Sequence, residues 1–92
     1  MYSRVTSFEA TDIEAVEAQL DAIAEKIAQI PNLIRMQVVW TGDGKGMVMA
    51  NYESKEAAEA GQAHALGIWN SIITYLAGMP ESVEYERGRI MH

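Results

Sequence analysis

The side chains in this sequence that could move a proton or hold an anion beside apolar neighbours are few, and their spacing groups them. His64, Ser71 and Tyr75 follow one another at seven and four residues, so on a helix they share nearly one direction. Trp69 lies beside that edge, at the centre of an arc made by Ala58, Gly61, Ala65, Trp69, Ile72 and Leu76 at helical spacing. An imidazole with an ordinary pKa near 6.5 suits proton transfer at neutral pH. A Tyr hydroxyl both donates and accepts, and an indole offers a broad flat wall. Arg35, Arg87 and Arg89 stand out in a chain with only 7 Lys and Arg against 13 Asp and Glu. A guanidinium on a strand facing an interface needs a carboxylate, here Glu53, Glu84 or Glu86 across strands, or an anionic ligand. Plainer readings stand beside these: Trp69 as core packing, His64 as a half-exposed spacer at a helix boundary, and the arginines as cross-strand ion pairs.

Other chemistries are excluded by what the sequence lacks. With no cysteine there is no disulfide framework, iron–sulfur cluster, thiolate zinc site or thiol nucleophile, and two histidines cannot alone build a His-rich metal site. Glu14, Glu17, Asp21 and Glu25 recur along a helix as a solvated face without metal-ligand geometry, so no metal is expected. Gly42-Asp43-Gly44-Lys45-Gly46 joins two strands, with no helix after it and no hydroxyl after the lysine. It reads as a turn, not a phosphate cradle. A formal net charge of −6 without a Lys/Arg cluster argues against nucleic acid or an anionic membrane surface. No apolar run approaches the roughly 20 residues of a membrane helix, and residues 1–9 lack the apolar stretch of a secretory signal, so a cytoplasmic location is expected.

The elements that must position these residues read as one domain over 1–92, since no linker or low-complexity tract interrupts the chain. Residues 2–8 alternate, with Ser3, Val5 and Ser7 on one face and Tyr2, Arg4, Thr6 and Phe8 on the other. Thr11-Asp12-Ile13-Glu14 has capping-box form, and Ile13, Val16, Leu20, Ile23, Ile27 and Ile30 then lay one apolar stripe that Pro31 stops. Residues 33–41 return to period two, with Ile34, Met36, Val38 and Trp40 opposite Leu33, Arg35, Gln37 and Val39. The glycine-rich turn leads into Met47–Tyr52 as a hairpin, and Ser54 caps a second helix closed by Gly78 and Pro80. Residues 83–90 alternate once more as a fourth strand. The order βαββαβ is the ferredoxin-like α+β arrangement, an antiparallel sheet with both helices on one face. Its other face carries Val39, Met47, Met49, Val83 and Tyr85 with Arg35, Gln37 and Arg89, a set apolar enough to predict a homodimer packed sheet to sheet. Six methionines, Met36, Met47 and Met49 among them, suit an adaptable apolar lining or a dimer core.

In element order and length, the chain resembles the dimeric α+β barrel superfamily, whose best-known branch is the antibiotic biosynthesis monooxygenase domain. The resemblance rests on Met49-Ala50-Asn51-Tyr52-Glu53-Ser54-Lys55-Glu56-Ala57-Ala58-Glu59-Ala60, after a glycine-containing hairpin and before Leu76-Ala77-Gly78-Met79-Pro80. It implies quinone-forming oxidation of polycyclic phenols by molecular oxygen without flavin, metal or other cofactor. The family uses a Trp on helix two, a Tyr six residues later and an Arg on the last strand, which Trp69, Tyr75 and Arg89 match. Its Asn one turn before the Trp is Ala65 here, with Asn70 and His64 the nearest polar substitutes. The heme-degrading branch needs an Asn on strand one and a His well after the Trp; this strand one has no Asn and His64 precedes Trp69, so that activity is rejected.

The expectation is therefore a cofactor-independent monooxygenase acting on a small aromatic or polyketide-like phenol, with His64 or Tyr75 handling the proton, Trp69 walling the site and Arg89 stabilising the anion. The alternative is a non-catalytic small-ligand-binding or dimerisation module on the same barrel.

Overall fold

A computed structural model describes residues Met1–Met91. Its elements are β1 (Tyr2–Glu9), α1 (Ile13–Ile27), β2 (Leu33–Trp40), β3 (Lys45–Tyr52), α2 (Lys55–Ala60), α3 (Gln62–Ile72) and β4 (Glu81–Tyr85), with a 3-10 turn at Ile73–Tyr75. The strands form one antiparallel sheet in the order β2-β3-β1-β4, and the helices cover one face, which is the ferredoxin-like α+β fold. Pairing sorts the side chains into rows. Met36, Ala50, Arg4 and Glu84 form one row on the helix side, and Val38, Val48, Thr6 and Ser82 the next. The open side carries Arg35, Asn51, Ser3 and Tyr85, then Gln37, Met49, Val5 and Val83, then Val39, Met47, Ser7 and Glu81. The helix-side rows meet Val16 and Ile23 of α1 and Ile68 and Ile72 of α3 in a core closed by Tyr52, which is 1% exposed.

Four local expectations change. Leu33 packs against the core, not with Arg35, because the β2–β3 register shifts between those residues; Ile34 is thrown outward instead. Asp12, not Thr11, caps α1 by accepting from the Ala15 amide at 3.1 Å. The single long second helix breaks at buried Gly61, where a Cβ would come within 3.1 Å of both Ile30 and Tyr52. The close approach needs glycine, and the helix axis restarts there as α3.

The fourth difference bears on the site. Strand β4 ends at Tyr85 rather than continuing to Ile90, because its partner on β1 is Ser3 and that strand begins at Tyr2. Arg87 and Arg89 therefore belong to a tail beyond the sheet. The hairpin turn forms as expected, with Gly44 at φ 90° and its carbonyl accepting from the Ala10 amide at 2.8 Å. Among the described residues, no helix is long and apolar enough to cross a membrane.

Candidate active site

A cavity of about 450 Å³ lies between the sheet and the helices α1 and α3. Met36, Val38 and Trp40 of edge strand β2, Val48 of β3 and Phe8 of β1 line the sheet side. Leu20, Ile23, Ala24 and Ile27 of α1 and Ala65, Ile68, Trp69 and Ile72 of α3 line the helix side. The apolar stripe of α1 and the arc of α3 converge here, and Ala24 and Ala65 leave space that longer side chains would fill. Gly46 matters equally: it is the β3 residue between Phe8 and Trp40, and the Phe8 ring lies where its side chain would be. Phe8 then meets Trp69 with ring centroids 5.8 Å apart and planes tilted by 56°. That tilted geometry suits paired aromatic rings.

The size and lining fit a small-molecule pocket, a mostly apolar cleft with few polar groups. Among the described residues, Asp21 is the only charged one that borders the cavity, and it is an exposed residue of α1. The cavity thus favours a neutral aromatic or apolar molecule whose hydroxyl can donate to the Asp21 carboxylate. A ligand that enters as an anion meets no cation there.

Of the four side chains singled out for chemistry, Trp69 lines this cavity and the other three do not. His64 is exposed on α3. Tyr75 is half-buried in the 3-10 turn against the core, and its carbonyl ties the start of α1 in place. It accepts from the Thr11 amide at 2.8 Å, the Asp12 amide at 3.4 Å and the Thr11 hydroxyl at 3.2 Å. Arg89 lies in the tail and borders a separate groove on the open side of the sheet. The expected common pocket of Trp69, Tyr75 and Arg89 is not formed within one chain, because β4 stops short of Arg89 and the 3-10 turn takes Tyr75 off the α3 spiral. The sequence pattern places Asp21 on a solvated helix face; it borders the cavity because it follows Leu20 of the apolar stripe and so lies at the edge of that face.

The expected partners of the arginines also differ. Glu84 binds Arg4, from Oε2 to Nε at 2.9 Å and from Oε1 to Nη2 at 3.2 Å, and accepts from the Tyr2 hydroxyl at 3.0 Å. Arg4 also donates to the Ala58 carbonyl at 3.3 Å, and its guanidinium carbon lies 5.8 Å from the Tyr52 ring centroid. Burial pushes the Tyr52 phenol above its usual pKa, opposed in part by Arg4. Burial, aided by the Glu84 hydrogen bond, also raises Tyr2. These groups satisfy one another and lock β4 and α2 onto β1. Among the described residues Arg4–Glu84 is the only ion pair.

No known family model and no curated protein matches the sequence. Solved structures do match, along nearly the whole chain. A monooxygenase from the gene ActVA-Orf6 of Streptomyces coelicolor, in complex with the ligand nanaomycin D, superposes with a TM-score of 0.73 at 20% identity, over 99% of this chain and 91% of the other. A mutant of SnoaB, a cofactor-independent oxygenase from Streptomyces nogalater, gives 0.77 at 15% identity over 98% and 95%. A structure described as an antibiotic biosynthesis monooxygenase gives 0.79 at 14% identity over 97% and 100%. The chain therefore carries, from end to end, the α+β fold of the antibiotic biosynthesis monooxygenase structures.

Proposed function

We propose that this protein is a cofactor-independent monooxygenase that oxidises a small aromatic or polyketide-like phenol in the cavity between the sheet and helices α1 and α3. The observation that carries the reading is the cavity itself: about 450 Å³, apolar, edged by Phe8 and Trp69 and open to one carboxylate. The fold shared with oxygenases supports it. In this reading the substrate ring lies against Trp69 and its hydroxyl points to Asp21. The apolar walls exclude water, and the carboxylate accepts the phenolic hydrogen bond and takes the proton as an electron passes from the ring to oxygen, so that no free phenolate is left in a cavity without a cation. One oxygen atom enters the ring and the other leaves as water with the two hydrogens lost when phenol becomes quinone. Trp69 orients and Asp21 accepts the proton; His64, Tyr75 and Arg89 make no contact with the cavity of one chain and are assigned no step in it.

The protein acts, in the same proposal, as a cytoplasmic homodimer. Val39, Met47, Val83 and Tyr85 are each at least 39% exposed on or beside the open sheet face, and a second sheet would cover them.

A second reading, a ligand-binding module without catalysis, is favoured by Ala65, which offers no polar group where the oxygenase family has Asn, and by a lining with Asp21 as its only proton acceptor. Oxygen uptake separates the two. A panel of naphthols and hydroxyanthracenes is supplied with and without oxygen, and ligand binding is followed by tryptophan emission. Oxygen consumed one for one with quinone formed supports the oxygenase. Binding without uptake supports the module, and no binding by any phenol overturns both.

A further inference from the structure

The cavity beneath Trp69 has two chemically different ends. Along edge strand β2 its lining steps from Met36 through Val38 to Trp40, roughly 13 Å at about 3.3 Å per residue. Phe8 shares the last row, across Gly46 from Trp40, and Trp69 packs on Phe8 with ring centroids 5.8 Å apart. The aromatic residues of the lining are thus gathered at the Trp40 end.

The helices fix what stands at the other end. The chain leaves α1 at Ile27 and enters β2 at Leu33, so the two elements run in opposite directions and Ile27 lies towards Met36. Helix α3 starts at Gly61, beside Ile30 and Tyr52, and Tyr52 pairs with Leu33. Ala65 therefore lies towards the Met36 end, one turn before Trp69. Ile23, Ile27 and Met36 wall that end, and the small side chains of Ala24 and Ala65 leave its width open. Asp21 stands on α1 between the two ends, and Asp21, Ala24 and Trp40 are exposed, so they form the rim.

Flat rings gain from the faces and edges of Trp and Phe, whereas branched aliphatic side chains and a flexible thioether suit a chain that bends. At about 1.5 Å per helical residue, Asp21 and Ile27 stand roughly 9 Å apart along α1, which gives room for about five or six carbons. We propose that the ligand of this cavity is an alkyl-substituted phenol. Its ring lies among Trp40, Phe8 and Trp69, its hydroxyl donates to Asp21, and an unbranched chain of about five carbons runs past Ala24 to Ile27 and Met36. The proposal rests on the reading of this cavity as the site of a phenol and adds what the ring carries. A meta arrangement suits it, since the hydroxyl turns sideways to the rim while the chain follows the helix. The cavity lies on the helix side of the sheet, opposite the face that a second copy would cover.

The test titrates meta-ethylphenol and meta-pentylphenol, without oxygen, against the two indole N–H signals. A fully buried methylene strengthens binding about fourfold, so three more carbons beside the open rim should gain about tenfold. Nuclear Overhauser contacts should join the terminal methyl of the chain to the Met36 and Ile27 methyls, and the ring protons to Trp69. Ala24→Leu puts a larger side chain in the path of the alkyl chain at an exposed helix position, so the circular dichroism spectrum should stay unchanged. The variant should bind meta-ethylphenol within about twofold of the parent and lose the tenfold gain of meta-pentylphenol. Equal binding of the two phenols by the parent, chain contacts to Trp40 instead of Met36, or an Ala24→Leu protein that keeps the gain would each overturn the chain's assignment and leave the ring's place beside Trp69 standing. Indoles unmoved by either phenol would overturn both.

Discussion

Gly46→Ala tests how the cavity is built. A Cβ at this position would overlap Cζ of Phe8 and lie 2.7 Å from both Phe8 Cε1 and the Val39 carbonyl oxygen. The ring can rotate away, but the carbonyl belongs to the neighbouring strand and moves only if the β2–β3 ladder loosens. Overpacking of this kind costs roughly 1–3 kcal/mol, and displacing Phe8 from Trp69 forfeits a further ~0.5–1.5 kcal/mol of aromatic contact. Alanine recovers about 0.5–1 kcal/mol of the entropy that glycine loses in a strand. The net loss should be about 2 kcal/mol, which for a domain of this size lowers Tm by roughly 8–16 °C. Thermal unfolding by circular dichroism measures the loss, and tryptophan emission should change in the folded state as Phe8 leaves Trp69. In Gly46→Ala combined with Phe8→Leu, the smaller side chain should lessen the clash, so the double variant loses less than the two single losses added together. A Gly46→Ala protein that melts within about 2 °C of the parent, with unaltered emission, would refute the packing described for Phe8.

Three other outcomes are expected. Asp21→Asn should leave Tm within about 2 °C, because the residue is exposed, while oxygen uptake with phenols falls at least about tenfold, or ~1.4 kcal/mol in transition-state stabilisation; unchanged uptake removes Asp21 from the chemistry. Sedimentation should give a mass near twice 10.2 kDa, reduced towards a single chain by Met49→Lys and unaffected by Glu17→Lys; a monomeric parent protein contradicts the sheet-to-sheet pairing. Because burial raises the Tyr52 phenol above its unfolded value, the unfolded chain releases that proton first as pH rises. The stabilisation is complete below about pH 10 and declines above it until the folded-state pKa is passed; Tyr52→Phe should flatten this alkaline decline in urea-unfolding profiles, and an unchanged slope would assign it elsewhere.

The strand faces were legible because alternation is a property of a single segment. Ser3, Val5, Met47 and Met49 fall on the open side as their period requires. Pairing is a property of two segments, so the bulge that sends Ile34 outward and returns Leu33 to the core left no mark in the β2 sequence. The early end of β4 had the same origin, since β1 has no residue left to pair beyond Ser3 except Tyr2. The arginine pairing was nearly legible: period two places Glu84 opposite Val83 and Tyr85, and hence on the face of Arg4, away from Arg35. Trp69 is conspicuous in the sequence as a large ring in an apolar arc, and it lines the cavity while packing against the core. The cavity beside it depends on small residues on three elements, Ala24, Ala65 and Gly46, meeting at one place, and their sequence separation hides that encounter.

The central claim, that the cavity beneath Trp69 receives the aromatic ligand, is tested most directly by an NMR titration of the two indole N–H signals with a naphthol under anaerobic conditions. Trp40 and Trp69 are the only tryptophans in the chain and both line the cavity. The account predicts that both resonances shift with one shared Kd, and that Ala65→Leu, which fills the α3 wall, weakens that Kd at least about tenfold while the protein stays folded. Shifts confined to Ser3, Met49 and Asn51 on the open face, with both indoles unmoved, would contradict it.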